Sequence, residues 1–199
     1  HFKDITEAAG FKAPEAPGRA YGPIFVDVNN DGYLDLFQAQ GWGGESLLFR
    51  NNGNLTFSDV TGTGGIAGFN VHGYCFGDLD RDGDLDLYTT TWIDAGEFKL
   101  HRNNQNDRSY LIVRVNGRKP NTSAIGAKIW VYEEKKGRLR GYREIIGGGG
   151  AMYTCPTLEQ HFGLPSGGTY SVKVFFPVSG KTVSRSNVSA GRTIVIKEP

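Results

Sequence analysis

Three stretches in the first half of this chain recur in the same order at nearly one spacing. Phe2-Lys3-Asp4-Ile5-Thr6 returns as Phe57-Ser58-Asp59-Val60-Thr61. The run from Asp27 to Phe37 (DVNNDGYLDLF) returns from Asp78 to Tyr88 (DLDRDGDLDLY), and Arg50-Asn51-Asn52 returns as Arg102-Asn103-Asn104. The offsets are 55, 51 and 52 residues. A repeat of that length must be a supersecondary unit that buries its apolar face against a neighbour, and the period is typical of β-propeller blades. Each unit reads as strands. Ile24-Phe25-Val26 and Tyr74-Cys75-Phe76 lead into the acidic runs, Leu34 to Phe37 and Leu85 to Tyr88 lead out, and Ser46 to Phe49 and Glu97 to His101 follow glycine-rich turns. No window of helical period competes.

The acidic runs carry the chemistry. In D-x-[DN]-x-D-G-x-x-D a carboxylate or amide oxygen returns at every second position, and the glycine permits the sharp turn that folds those oxygens around one ion. Hard oxygen donors at this density suit calcium, which takes six to eight of them, better than magnesium, which keeps more water. The expected ligands of the first site are the side chains of Asp27, Asn29, Asp31 and Asp35 with the carbonyl of Tyr33. Those of the second are Asp78, Asp80, Asp82 and Asp86 with the carbonyl of Asp84. Five carboxylates between Asp78 and Asp86 would repel one another strongly if no cation sat among them. With four liganding carboxylates against three plus an amide, the second site is expected to bind more tightly. An EF-hand would place a glutamate at loop position 12 and a helix beyond. Here Gln38 and Thr89 hold that position and strand follows, which excludes it.

Charge divides the chain. Residues 1–106 hold 7 basic and 15 acidic residues, residues 107–199 hold 15 and 6, and the net +1 is the residue of these opposed halves. Two domains are therefore expected: 1–106, made of repeats over about 1–56 and 57–106, and 107–199, joined at the polar stretch Asn103 to Arg108. The second half alternates apolar and polar residues in Lys128 to Tyr132, Ser171 to Phe176 and Thr193 to Lys197. Six or seven short strands in a small sandwich or barrel follow from that pattern. The whole chain is thus expected to be all-β: two propeller-type blades plus a small β domain.

Enzymatic readings fare poorly. The four histidines lack metalloprotease spacing and no G-x-S-x-G occurs, while His161 reads as a packed structural residue. Ser179-Gly180-Lys181-Thr182 has Phe175 where a phosphate-binding loop needs glycine. Trp130 and Tyr132 fit a sheet face as well as a stacking platform, so no nucleic-acid partner is expected. No apolar run approaches the ~20 residues of a membrane span.

Phe76-Gly77-Asp78 and the acidic runs resemble FG-GAP repeats, the calcium-binding blades of integrin-α-like propellers. The second half resembles the ASPIC/UnbV domain that follows such blades in the cartilage acidic protein family. The residues that carry this likeness are Ala124-Ile125-Gly126-Ala127-Lys128, Arg143 to Gly149, His161-Phe162-Gly163-Leu164 and Asn187-Val188. The resemblance implies a secreted or surface-exposed, non-enzymatic calcium-binding protein of matrix or adhesion type. In such a compartment Cys75 and Cys155 could form one bridge or stay as two buried thiols, and Asn54, Asn121 and Asn187 head N-glycosylation sequons.

Two blades alone leave strand edges open, since closed propellers use about four to eight. A chain that starts at His1 is expected to be a processed product or a fragment, or else to find its missing contacts in the basic half or in other copies of itself. Opposite charges on the halves favour head-to-tail self-association into an oligomer or filament. Acidic glycans or matrix proteins are further expected partners. In a lectin-like alternative Trp42 or Trp92 would stack on sugar rings.

Overall fold

The computed structural model describes residues 1–12, 18–91, 97–105, 109–148 and 157–199. Among these every regular element is a strand, and the strands form four separate sheets with no closed barrel. The first sheet is an antiparallel meander of β1 (Arg19–Val26), β2 (Asp35–Gly41), β3 (Leu47–Asn51) and β4 (Phe57–Asp59). The second contains β5 (Gly73–Gly77), β6 (Asp86–Thr90) and β7 (Phe98–His101) in the same order. Each acidic run is the connection between the first two strands of its sheet, as the repeat predicts.

Sheet membership is out of phase with the repeat. Phe57–Asp59 opens the second sequence unit, yet it pairs with β3 as the fourth strand of the first sheet, Phe57 opposite Asn51 and Asp59 opposite Phe49. Alternation along β2 buries Phe37 and Ala39 completely, and these meet Leu48, Ile66, Val71, Tyr74 and Leu87 in a core shared by both sheets. The rings of Tyr74 and Phe76 stand edge-on to Phe37 at 5.0 and 5.6 Å, an arrangement favoured by the aromatic quadrupole.

Among the described residues, seven strands make up the second half. β10 (Leu139–Glu144), β9 (Lys128–Glu133), β12 (Thr169–Phe175) and β13 (Thr182–Ser189) form one sheet. β11 (Gln160–Gly163), β8 (Tyr110–Asn116) and β14 (Arg192–Lys197) form the other. The period-2 pattern reads out directly, because Ile129, Val131, Val172 and Val174 are fully buried while Trp130 and Lys173 lie on the outer face, the Lys173 ammonium 5.9 Å from the indole. Leu111, Val113, Phe162, Ile194 and Ile196 supply the opposite wall of this second core. β14 runs parallel to β8, Arg192 to Lys197 against Leu111 to Asn116.

Candidate metal centre

The two acidic loops fold alike at positions 3, 5 and 9. At position 3, Asn29 and Asp80 each accept from the backbone N–H two residues on, at 3.2 Å in both loops. At position 5, Asp31 and Asp82 do the same at 2.8 and 3.0 Å. At position 9, Asp35 accepts from Val28 and Asn51, and Asp86 from Leu79 and Asn103, at 2.7–3.1 Å. Short polar side chains that capture their own backbone in this way turn the chain back on itself. The fourth and sixth residues of each loop then take left-handed conformations: Asn30 (φ 59°) and Gly32 (φ 87°), Arg81 (φ 64°) and Gly83 (φ 100°). Glycine is required at the sixth position for that reason.

In the second loop one carboxylate oxygen each from Asp78, Asp80 and Asp86 lies within 4.8 Å of the others, a cluster that could hold a metal ion. Arg102 stands at its exposed side, Nε 2.6 Å from Asp80 and Nη2 3.3 Å from Asp82, partly neutralising it. The Asp84 carboxylate is buried and accepts from Asn30 Nδ2 of the first loop at 2.8 Å. Sequence assigns only the Asp84 carbonyl; its side chain ties one loop to the other, as does Asn103 Nδ2, which donates to the Val28 carbonyl at 2.7 Å.

The first loop is the more deeply enclosed. Asp27 is 2 % exposed, its Oδ2 accepts from the Gly32 N–H at 2.9 Å, and its Oδ1 has no partner among the described residues. Burial, reinforced by Asp31, pushes the Asp27 carboxyl up to about 7. Burial likewise pushes Asp35 up to about 6 and raises Asp78, whose Oδ1 is also buried without a partner. Carboxylates raised this way are short of positive charge. In each loop the donor set of ionisable oxygens, one of them buried without a partner, fits a hard divalent cation. Tyr33, expected to offer its carbonyl, lies between Asp31 and Asp35 with its ring against Gly53.

The second half also packs on the second loop. His161 Nε2–H donates to the Gly83 carbonyl at 2.9 Å, and burial holds this imidazole down to about 4, so it is neutral. Its ring stacks with Tyr110, which packs against Gly83 so closely that a Cβ there would overlap the phenol. His161 is therefore the packed residue expected, with a partner that sequence could not name.

Other singled-out residues lie elsewhere. Trp42 is half-exposed in a left-handed conformation (φ 57°), its indole N–H donated to the Tyr21 hydroxyl at 2.8 Å and its ring covered by Arg19 at 4.7 Å. Trp92 and Cys155 lie outside the described residues, and Cys75 is half-buried on β5. Asn54 and Asn187 are exposed, whereas Asn121 uses Nδ2 to hold the Ile125 carbonyl at 2.8 Å.

Comparison with known families accords with this architecture. No curated protein matches the chain significantly. A model of the FG-GAP-like repeat matches residues 27–89, spanning both loops, and the ASPIC and UnbV model matches residues 117–199. Proteins with FG-GAP repeats are typically extracellular or on the cell surface, and no helix among the described residues is long and apolar enough to cross a membrane. The chain carries an FG-GAP-like repeat followed by an ASPIC and UnbV domain.

Proposed function

We propose that the chain is a non-enzymatic, calcium-stabilised structural or adhesion protein of the extracellular space, with one Ca²⁺ in each acidic loop. The observation that carries this reading is the convergence of Asp78, Asp80 and Asp86 oxygens, supported by the unpartnered buried oxygens of Asp78 and Asp27. The loops join strands within one sheet, so the ions act as staples whose binding energy becomes folding energy. Thermal unfolding in EDTA, calcium and magnesium tests it. Calcium is expected to raise Tm well beyond magnesium, and Asp78→Asn with Asp80→Asn to abolish the second site's share. Identical melting in EDTA and calcium refutes the reading.

Self-association is the second element of the reading. Residues 4–11 repeat the turn at 59–66: Thr6 N–H donates to Asp4 at 2.9 Å as Thr61 does to Asp59. Ala9 to Ile5 and Phe11 to Thr6 match Gly64 to Val60 and Ile66 to Thr61. The strand before the second turn closes a sheet, while Phe2-Lys3-Asp4 before the first is exposed and the second sheet ends at β7. Pairing of 2–4 from one copy with the β7 edge of another, assisted by the opposed charges, would complete that sheet. Light scattering should show an oligomer that disappears on deletion of residues 1–4, and a monomer at every concentration refutes it. The basic half favours acidic glycans or matrix proteins as further partners.

A further inference from the structure

Strand register makes the two blades correspond face by face. Ile24, Phe37 and Leu48 stand side by side across the first sheet, and Cys75, Tyr88 and Leu100 across the second, displaced by the repeat offsets of 51 and 52 residues. The first row packs against the second sheet: Phe37 meets Tyr74 and Phe76, and Leu48 shares its core with Ile66 and Leu87. In the second row Leu100 is 61 % exposed, and Phe98 on the same face is 72 % exposed. The opposite faces correspond as well. Phe76, Leu87 and His101 form the row of the second sheet that faces the first, and Phe25, Leu36 and Phe49 are its counterpart on the outer side of the first sheet. There Phe11 covers Phe49 with ring centroids 5.0 Å apart, while Phe25 is 59 % and Ile5 51 % exposed. The second half leaves these side chains exposed because it sits at the loop ends of the blades. Gly163 rests on the first loop, where a Cβ would overlap Asp27 Oδ2, and Tyr110 and His161 rest on the second.

We infer that a second copy of this chain covers the second sheet: the outer face of its first sheet, with Phe25, Leu36 and the turn at 4–11, seats on Cys75, Tyr88 and Leu100 as the second sheet seats on the first within one chain. This rests on the self-association reading and names the faces through which it acts. The contact continues an interface the chain already builds. Within the chain, β4 pairs with β3 and the turn that follows lays Gly64 against Leu48 and adds Ile66 to the shared core. Residues 2–4 lead into the same turn, so a copy that pairs them with β7 carries Ile5 to Phe11 onto Leu100. Removal of these exposed apolar side chains from water drives the docking. Because the two faces differ, the contact is heterologous, and each copy keeps one face of each kind to offer the next. A propeller closes with about four to eight blades, so a ring of two-blade chains holds about two to four copies.

Sedimentation equilibrium of the full chain in calcium tests the inference, with Leu100→Asp on the receiving face and Phe25→Asp on the seating face. Phe98→Asp and Ile5→Asp are second variants on the same two faces. All four side chains are exposed, so the folded monomer tolerates the changes, and near-UV circular dichroism identifies the variants that keep the parent fold. A carboxylate buried in the contact is expected to weaken self-association at least about a hundredfold, leaving each variant monomeric on its own. An equimolar mixture of Leu100→Asp and Phe25→Asp is expected to form a one-to-one dimer, because the first keeps an intact seating face and the second an intact receiving face. Parent-sized oligomers from either variant overturn the inference while self-association itself stands. A mixture that stays monomeric also overturns it, since both residues would then belong to one self-complementary patch. A parent chain that is monomeric at every concentration removes the self-association reading and the inference together, and leaves both faces to blades of another chain.

Discussion

Asp27→Asn should reverse the stability ranking of variant and parent according to whether calcium is present. A carboxyl moved from 3.8 to about 7 by burial and neighbouring charge resists ionisation in the fold. Above both values, holding it ionised in the metal-free protein costs about 4 kcal/mol relative to the unfolded chain. Asparagine removes that cost and keeps the acceptor for the Gly32 N–H. It places an amide donor where Oδ1 has no partner, which returns about 1–3 kcal/mol. The net is a gain of about 2 kcal/mol in EDTA at about pH 8, roughly 4–8 °C in Tm if the chain unfolds as one unit of about 200 residues. In calcium the parent gains from ion binding, about 2.7 kcal/mol at a hundredfold excess over Kd, and the variant loses that share with its charged ligand. Paired thermal melts in EDTA and in calcium, with a metal-free control at about pH 4.5 where the advantage should vanish, give the full cycle. A variant less stable than the parent in EDTA at about pH 8 would show that the buried carboxylate is not the term in control.

The raised values of Asp27 and Asp35 also set the pH dependence of the parent. In EDTA its folded state holds protons that the unfolded chain has released, so stability falls as pH rises from about 4 to about 7; calcium affinity, followed by calorimetry, rises over the same window. Gly83→Ala, at φ 100° with its Cβ overlapping the Tyr110 ring, should destabilise by about 3 kcal/mol in chemical denaturation, whereas Gly65→Ala, at φ 73° with open space around it, should cost about 1 kcal/mol. Calorimetry should rank the second loop as the tighter calcium site; the reverse order would mean that ligand charge does not govern affinity.

Much of this was legible in the sequence because local rules write it locally. The Asx turns and glycines of the loops depend on residues two to five apart, and β2 alternates in register with its burial. What escaped was set at a distance. Nothing in Phe57-Ser58-Asp59 distinguishes the strand that ends one sheet from the one that begins the next, because hydrogen-bonding partners are chosen by the neighbouring edge. Asn30 looks like filler in its loop, and only its burial against Asp84 shows the role; the counterpart position holds Arg81, a difference between the repeats that could have drawn attention. Gly163 acts through the side chain it lacks, and a missing atom leaves no pattern. The parallel β8–β14 pairing likewise has no local signature.

The phase difference between sheet and sequence repeat has a mechanical consequence. Since the strand that closes one sheet runs straight into the turn that packs against the next, adjacent blades are laced together, and the piece that can be exchanged whole runs from one such turn through the following closing strand. Here that piece extends from about residue 5 to residue 59. A cut at the edge of the written repeat severs the lacing, stripping one sheet of its rim and leaving its neighbour with a thread to spare. Tension applied along the chain would meet the β3–β4 seam before either core, so the rim strand is the expected first point of yield.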